Sequence, residues 1–269
     1  MKTKNTEMQD SNYKITDWLP TTKKDVTKRG WDQLDVILFT GDAYVDHPSF
    51  GAAVIARTIE NEGFKVAIVP QPNWEDDLRD FKKLGKPRLF FAVTSGNMDS
   101  MVNHYTANKR LRSNDAYTPD GVSGFRPDYA TTVYSKILKE IFPDVTVVIG
   151  GVEASLRRFT HYDFWSDKIK PSILSESKAD ILVYGMGEMP LKKILHLANK
   201  NLLNDSLNKI PQIAYLKNEI PEFPDKENKK TKELASHADC VKDKKVFAAN
   251  FAVIEKESNK MHPKHLIQK

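Results

Sequence analysis

Residues 150–167 read Gly-Gly-Val-Glu-Ala-Ser-Leu-Arg-Arg-Phe-Thr-His-Tyr-Asp-Phe-Trp-Ser-Asp. Glu153, Arg157, Arg158 and His161, with Tyr162, Asp163 and Asp167, form a denser set of polar side chains than folding alone requires. Two arginines and a histidine can clamp an anionic group, because guanidinium carries a fixed fork of N–H donors. The same cations can instead pair with Glu153, Asp163 and Asp167 as a closed ion cluster, and spacing leaves both readings open. Gly150 and Gly151 stand just before them, where a missing Cβ admits close approach to the backbone.

Asp46 and His47 are the next candidates. A loop histidine can ligate a metal or move a proton, or it can shape the turn before Pro48. The loop also carries Gly41, Asp42, Ser49 and Gly51. Two further loops belong with these: Ser95-Gly96-Asn97, and Gly185-Met186-Gly187-Glu188. Each of the four loops follows an apolar run, and helix N-termini behind such loops favour anions. One glycine loop is ordinary turn chemistry, but four suggest a shared ligand-binding rim. None matches G-x-G-x-x-G or a phosphate-binding P-loop, so dinucleotide binding and nucleotide hydrolysis have no motif support.

These loops must be held by what lies between them. Asp35–Thr40, Phe64–Val69, Arg88–Thr94, Val145–Ile149 and Asp180–Tyr184 are apolar runs of the kind buried in parallel sheets. Helical periodicity marks 52–63, 129–142 and 189–199, with shorter helices expected at 76–84 and, capped by Ser95 or Asn97, at 98–107. Residues 108–127 form a long irregular insertion, and Ile213–Leu216 suit a short edge strand. The alternation predicts an α/β fold: a doubly wound, Rossmann-like parallel sheet of five strands with a helical C-terminal extension. Ligands of such sheets bind at the carboxyl ends of the strands. Three regions are expected: a polar segment over 1–31, the α/β domain over 32–220, and a linker with helical tail over 221–269. The linker falls at Pro221–Asp225, the helix over Lys230–Glu257, and the chain then trails off.

Hydrophobic residues make up 40% of the 269, enough for a sizeable core, and 41 Lys and Arg against 36 Asp and Glu leave a net charge of +5. That mild excess suits an anionic ligand or nucleic acid without requiring one. Cys240 is the lone cysteine, which rules out a disulfide framework and a zinc or iron–sulfur site built from this chain's thiols. Its expected role is an inert helical thiol. His237, His262 and His265 have no metal-site spacing, and no metal site is expected. The polar start and the absence of a run of ~20 apolar residues argue against a signal peptide and a membrane span. A cytoplasmic location is expected.

The stretches Asp35–Leu38 with Thr40–Gly51, and Gly150–Arg158 with His161–Asp167, closely resemble the YgiQ family of radical SAM proteins. The resemblance runs from about residue 14 to the end. It implies an N-terminal domain preceding a radical SAM barrel, whose C-x-x-x-C-x-x-C motif holds a [4Fe–4S] cluster that cleaves S-adenosylmethionine to a 5′-deoxyadenosyl radical. With one cysteine, this chain departs from that pattern. No catalytic residue is therefore expected in it, and its partner is the barrel, in cis or in trans, with an unknown small-molecule or macromolecular substrate. The chain is also similar to cobalamin-binding domains found ahead of such barrels, with Ser95 and Gly150-Gly151 in comparable places. It departs from their D-x-H-x-x-G motif, because Asp46 and His47 are adjacent and three residues separate His47 from Gly51. The leading expectation is an accessory substrate- or cofactor-binding domain of a radical SAM enzyme. The alternative is a stand-alone small-ligand or cobalamin-binding module without catalysis, and an RNA-facing domain is the third reading.

Overall fold

The computed structural model describes residues 17–220, 231–261 and 263–269. The expected linker at Pro221–Asp225 and His262 lie outside them. In chain order the elements are α1 (Lys23–Lys28), β1 (Val36–Thr40), α2 (Gly51–Asn61), β2 (Val66–Pro70), α3 (Arg79–Lys82), β3 (Phe90–Thr94), α4 (Ser100–His104) and α5 (Ala130–Ile141). Then come β4 (Thr146–Gly150), α6 (Gly151–Leu156), β5 (His161–Asp163), β6 (Lys168–Lys170), α7 (Ile173–Ser177), β7 (Ile181–Val183), α8 (Glu188–Asn199) and β8 (Ile213–Tyr215). The last four are β9 (Lys232–Leu234), α9 (His237–Lys242), α10 (Lys244–Ser258) and β10 (Leu266–Gln268).

The main sheet runs β2-β1-β3-β4-β7-β8. Its first five strands are parallel, as the alternating pattern predicts, and β8 pairs antiparallel with β7 at the edge. The sheet is thus six-stranded rather than five-stranded: the short edge run folds back onto β7. The chain winds one way from β1 to β2 and the other from β3 onward, so the switch point lies between β1 and β3. In such sheets that crevice is the usual ligand position.

Alternate strand residues enter opposite layers. Val36, Leu38, Val66, Ile68 and Phe90 pack under α2 and α8, against Ile59, Leu191 and Ile194. Ile37, Phe39, Ala67, Val69 and Phe91 face the other side, against Phe81 of α3, Tyr134 and Leu138 of α5, and Ile173 of α7. Phe39 stacks on Phe81 with centroids 5.2 Å apart. Burial on both faces is why β1 to β4 read as unbroken apolar runs rather than alternating ones. Leu19 and Val26 tie the first segment into these layers, while Trp18 stays exposed.

Four expectations change. Helix α4 begins at Ser100 and is capped by Asp99, not by Ser95 or Asn97. The helix expected at 76–84 shrinks to α3, because Leu78 takes a left-handed conformation (φ 59°) ahead of it. Lys230–Glu257 is not one helix: β9 comes first, and extended backbone at Asp243 ends α9 and caps α10. The tail does not trail off, because β10 pairs in parallel with β9.

Candidate functional site

Because β1, β3, β4 and β7 are parallel, their carboxyl ends place all four glycine loops along one edge. The loops after β1 and β3 are packed against each other. A Cβ on Gly41 would collide with the Ser95 carbonyl, and one on Gly96 (φ +107°) would collide with the Asp42 carboxylate. Asp42 Oδ2 accepts from the Asn97 N–H at 2.6 Å. The Asn97 side chain then accepts from the Gly51 N–H at 3.0 Å and donates to the Ser49 carbonyl at 3.1 Å. The glycines here let loop meet loop, and Asn97 bridges the two loops at the switch point.

Beneath this bridge lies Arg126. Its guanidinium is fully buried, 2.8 Å from Asp42 Oδ1 and 3.1 Å from Asp115 Oδ2, and it donates to the Ser95 carbonyl at 3.0 Å. Two carboxylates share one cation there. Burial raises the Asp42 pKa, and Arg126 opposes the rise only in part. Asp115 and Arg126 both belong to the irregular insertion, so this triad fastens the insertion to the rim. Sequence reasoning passed over Arg126, Asp115 and Asp99. The available signal was charge flanked by Gly and Pro: Gly124-Phe125-Arg126-Pro127.

The glycine-pair block sits beside the bridge. A Cβ on Gly151 (φ +86°) would meet Thr94 Oγ1. Glu153 is fully buried and accepts from the Ser100 N–H at 3.1 Å and the Thr131 N–H at 2.9 Å. It thereby satisfies donors at the starts of α4 and α5. Arg157 is ion-paired with Asp99, the α4 cap. Arg158 takes no carboxylate among the described residues. It donates to the Ser155 carbonyl and Ser258 Oγ, with its guanidinium 5.1 Å from the Tyr184 ring. Ser155 Oγ accepts from the Gly185 N–H at 3.3 Å, joining α6 to the last loop. Gly187 packs against Ile55 and Val183, and Glu188 lies in the first turn of α8.

His161 Nδ1 bonds the Phe159 carbonyl at 3.2 Å, which places the proton on Nδ1. Its Nε2 is buried without a hydrogen-bond partner, and burial pushes its pKa down to about 4, with the nearby Arg157 charge adding to the shift. Asp163 is buried and accepts from the Tyr129 hydroxyl at 2.9 Å and from Ser166. Burial raises its pKa, but those donors and Lys170 outweigh it, so the net shift is downward.

Asp46 and His47 lie apart, along the flank of α2. Asp46 is ion-paired with Arg57. His47 is exposed, and its Nδ1 accepts from the Ser49 N–H at 3.1 Å. They line a cleft of about 400 Å³ with Asn61 and Lys192. A larger cleft of about 670 Å³ opens past the ends of β1 and β2, between Trp18, Tyr44, Gln71 and Lys28. Sequence reasoning did not anticipate it.

The residues do not fit an iron–sulfur cluster. Cys240 is buried, and its sulfur accepts from Asn250 Nδ2 at 3.1 Å. Among the described residues no group of three or more His, Cys, Asp or Glu could hold a metal, and no helix is long and apolar enough to cross a membrane. His47 Nδ1 accepts from the Ser49 N–H, which leaves the neutral ring's proton on Nε2, so ligating cobalt there would require the other tautomer and the loss of that hydrogen bond. What the edge shows is a rim of loops packed against one another.

The Radical SAM N-terminal family matches residues 18–269. A UPF0313 protein of Porphyromonas gingivalis is 58% identical over 261 residues, covering 96% of this chain and 40% of the relative. One of Bacteroides thetaiotaomicron is 58% identical over 267 residues, covering 95% and 43%. One of Clostridium botulinum is 47% identical over 253 residues, covering 94% and 38%. The chain thus spans only 38–43% of the length of these curated relatives. Among solved structures, the radical S-adenosylmethionine methyltransferase TsrM of Kitasatospora setae, with tryptophan substrate and a SAM analogue bound, is 19% identical with a TM-score of 0.44, over 68% of this chain and 28% of that one. A second TsrM structure, with cobalamin and a [4Fe-4S] cluster bound, has the same score and identity, over 68% and 27%.

Proposed function

The chain belongs to the Radical SAM N-terminal family and, with its UPF0313 relatives, to the YgiQ family, and on that premise we propose that it is the accessory binding domain of a radical SAM enzyme. The family match over residues 18–269 carries this reading. The rim supports it: the Asp42–Arg126–Asp115 triad and the Asn97 bridge make a stiff edge on which another protein part or a substrate can register. The cluster and its chemistry belong to a barrel elsewhere in the longer polypeptides, or in a partner, because one buried thiol cannot supply three ligands. Residues 32–220 are the binding unit in this reading, and 221–269 lead toward the barrel. The substrate bound at the rim is a small molecule or a macromolecule met by both parts.

Anaerobic reconstitution of the full-length Porphyromonas gingivalis relative tests this directly. We expect cluster absorbance and cleavage of S-adenosylmethionine by the full-length protein, and neither by this chain alone. A cluster-loaded full-length protein that leaves S-adenosylmethionine intact would overturn the reading. Cobalamin is tested separately by visible-absorbance titration. With Ser49 holding the His47 ring as the Nε2–H tautomer, no spectral change is expected in the wild type or in His47→Ala; a change lost in His47→Ala would assign the alternative function.

A further inference from the structure

Beside the glycine-pair block, the β5–β6 hairpin and the turn after α4 form a surface that the radical SAM reading leaves without a use. Strand alternation sends His161 and Asp163 inward, where Asp163 is buried against Tyr129. It sends Tyr162 outward, 49% exposed, and Phe164, the first residue of the turn after β5, is 48% exposed. Leaving two large rings in water costs hydrophobic stabilisation that an inward turn would recover.

The second element comes from a different part of the chain. Residues 105–112 read Tyr-Thr-Ala-Asn-Lys-Arg-Leu-Arg, with no carboxylate. The turn closes through a Tyr105–Leu111 bridge and is docked on the hairpin. The Tyr105 and Trp165 rings are 5.3 Å apart, Lys109 Nζ donates to the Trp165 carbonyl at 3.2 Å, and the same ammonium lies 4.7 Å from the Phe164 ring centre. Lys109, Arg110, Arg112 and, across the hairpin, Lys168 are exposed and carry no ion pair among the described residues. The nearby carboxylates are engaged: Asp167 accepts from the Tyr162 hydroxyl, Asp128 from Tyr105 and His104, and Asp163 from Tyr129.

Exposed rings on a hairpin and its turn, flanked by cations without ion pairs, are the two components of single-strand recognition: bases stack on the rings while phosphates meet the cations. We propose that this face, from Tyr105–Arg112 to Tyr162–Lys170, binds single-stranded nucleic acid. A docking surface for protein would account for the exposed rings. It would have to bring carboxylates of its own to meet the four cations, and the test separates the two occupants.

The test is fluorescence anisotropy of a labelled 12-nucleotide RNA, its DNA counterpart and the matching duplex, on this chain without any cofactor. Both single strands are expected to bind more tightly than the duplex. Log affinity should fall with log salt at a slope of about −3, near −0.7 for each of four phosphate contacts. Arg110→Ala with Arg112→Ala should flatten that slope by about 1.4. Phe164→Ala and Tyr162→Ala should each weaken binding about tenfold at unchanged slope, with Phe164→Trp restoring it. These side chains are solvent-facing, so unchanged melting curves accompany the variants. Absence of binding at low salt overturns the proposal. So does binding that prefers the duplex or ignores both aromatic substitutions, which is general polyanion attraction. Association with the remaining part of a full-length relative, blocked by these variants while no oligonucleotide binds, also overturns it and makes the face a protein interface. None of these outcomes depends on S-adenosylmethionine cleavage.

Discussion

A side chain at position 96 meets two penalties at once. The φ of +107° is one that L-residues rarely adopt, and the new Cβ collides with the Asp42 carboxylate, which is already held by Asn97 and Arg126. Gly96→Ala should therefore cost about 3 kcal/mol or more in urea denaturation. Gly121→Ala, at φ +69° with open space around it, should cost only about 1 kcal/mol. Similar losses at both positions would mean that backbone strain alone, and not the contact between loops, fixes the rim. His161 supplies a pH readout. Its folded pKa of about 4 lies below the unfolded value of about 6.5, so the unfolded chain binds more protons between the two. Its contribution is complete above pH 6.5 and is lost as pH falls toward 4, by about 2–3 kcal/mol. Subtracting the stability profile of His161→Gln from that of the wild type should isolate this slope; parallel profiles would show that the imidazole is not desolvated.

At the scale of elements, the carboxylates hold the helix starts. Asp99 accepts from the Met101 and Val102 N–H groups of α4 and pairs with Arg157, so one residue both caps a helix and neutralises a buried cation. Asp99→Ala should cost about 3–5 kcal/mol, since it strands Arg157 as well as removing a cap. Arg157→Met in the same background should recover part of that loss, and a thermodynamic cycle measured by denaturation gives the coupling. Strictly additive costs would deny the pair. These partnerships also mark what could be read from sequence. The five parallel strands were legible because burial on both faces leaves unbroken apolar runs such as Val36–Phe39. The rim was legible as a place, since glycines end those strands, but not as a packed bridge: Gly96 meets Asp42 across 54 positions, and only the order of strands brings them together. The β5–β6 hairpin was hidden because its inward positions, His161 and Asp163, are polar and erase the two-residue pattern. Strands β9 and β10 were hidden because three residues among lysines and glutamates carry too little periodicity to register.

At the scale of the whole chain, the two apolar layers close before the C-terminal unit begins. Their buried members run from Leu19 to Ile210, with Ala214 and Tyr215 packed against them, and neither layer includes a residue beyond 230. Among the described residues, three hydrogen bonds join the unit to the glycine-pair block: Thr160 N–H to Gln268 Oε1 at 2.9 Å, Thr160 Oγ1 with His237 Nδ1 at 3.1 Å, and Arg158 to Ser258 Oγ at 3.0 Å. Each is worth about 1 kcal/mol net, and exposed water replaces part of it. A chain ending at residue 220 should therefore fold, melt cooperatively and lose about 4–8 °C, at roughly 2–4 °C per kcal/mol for a domain of this size. Its one local change should be faster hydrogen exchange at the Thr160 amide and through β5–β6, because Thr160 is where the unit grips the hairpin. Calorimetry and hydrogen exchange on the shortened chain measure both. Loss of the cooperative transition would mean that the sheet needs the C-terminal unit to fold. Unchanged exchange at Thr160 would mean that the hairpin is held by Asp163 and Tyr129 alone, and that the C-terminal unit merely rests on the domain.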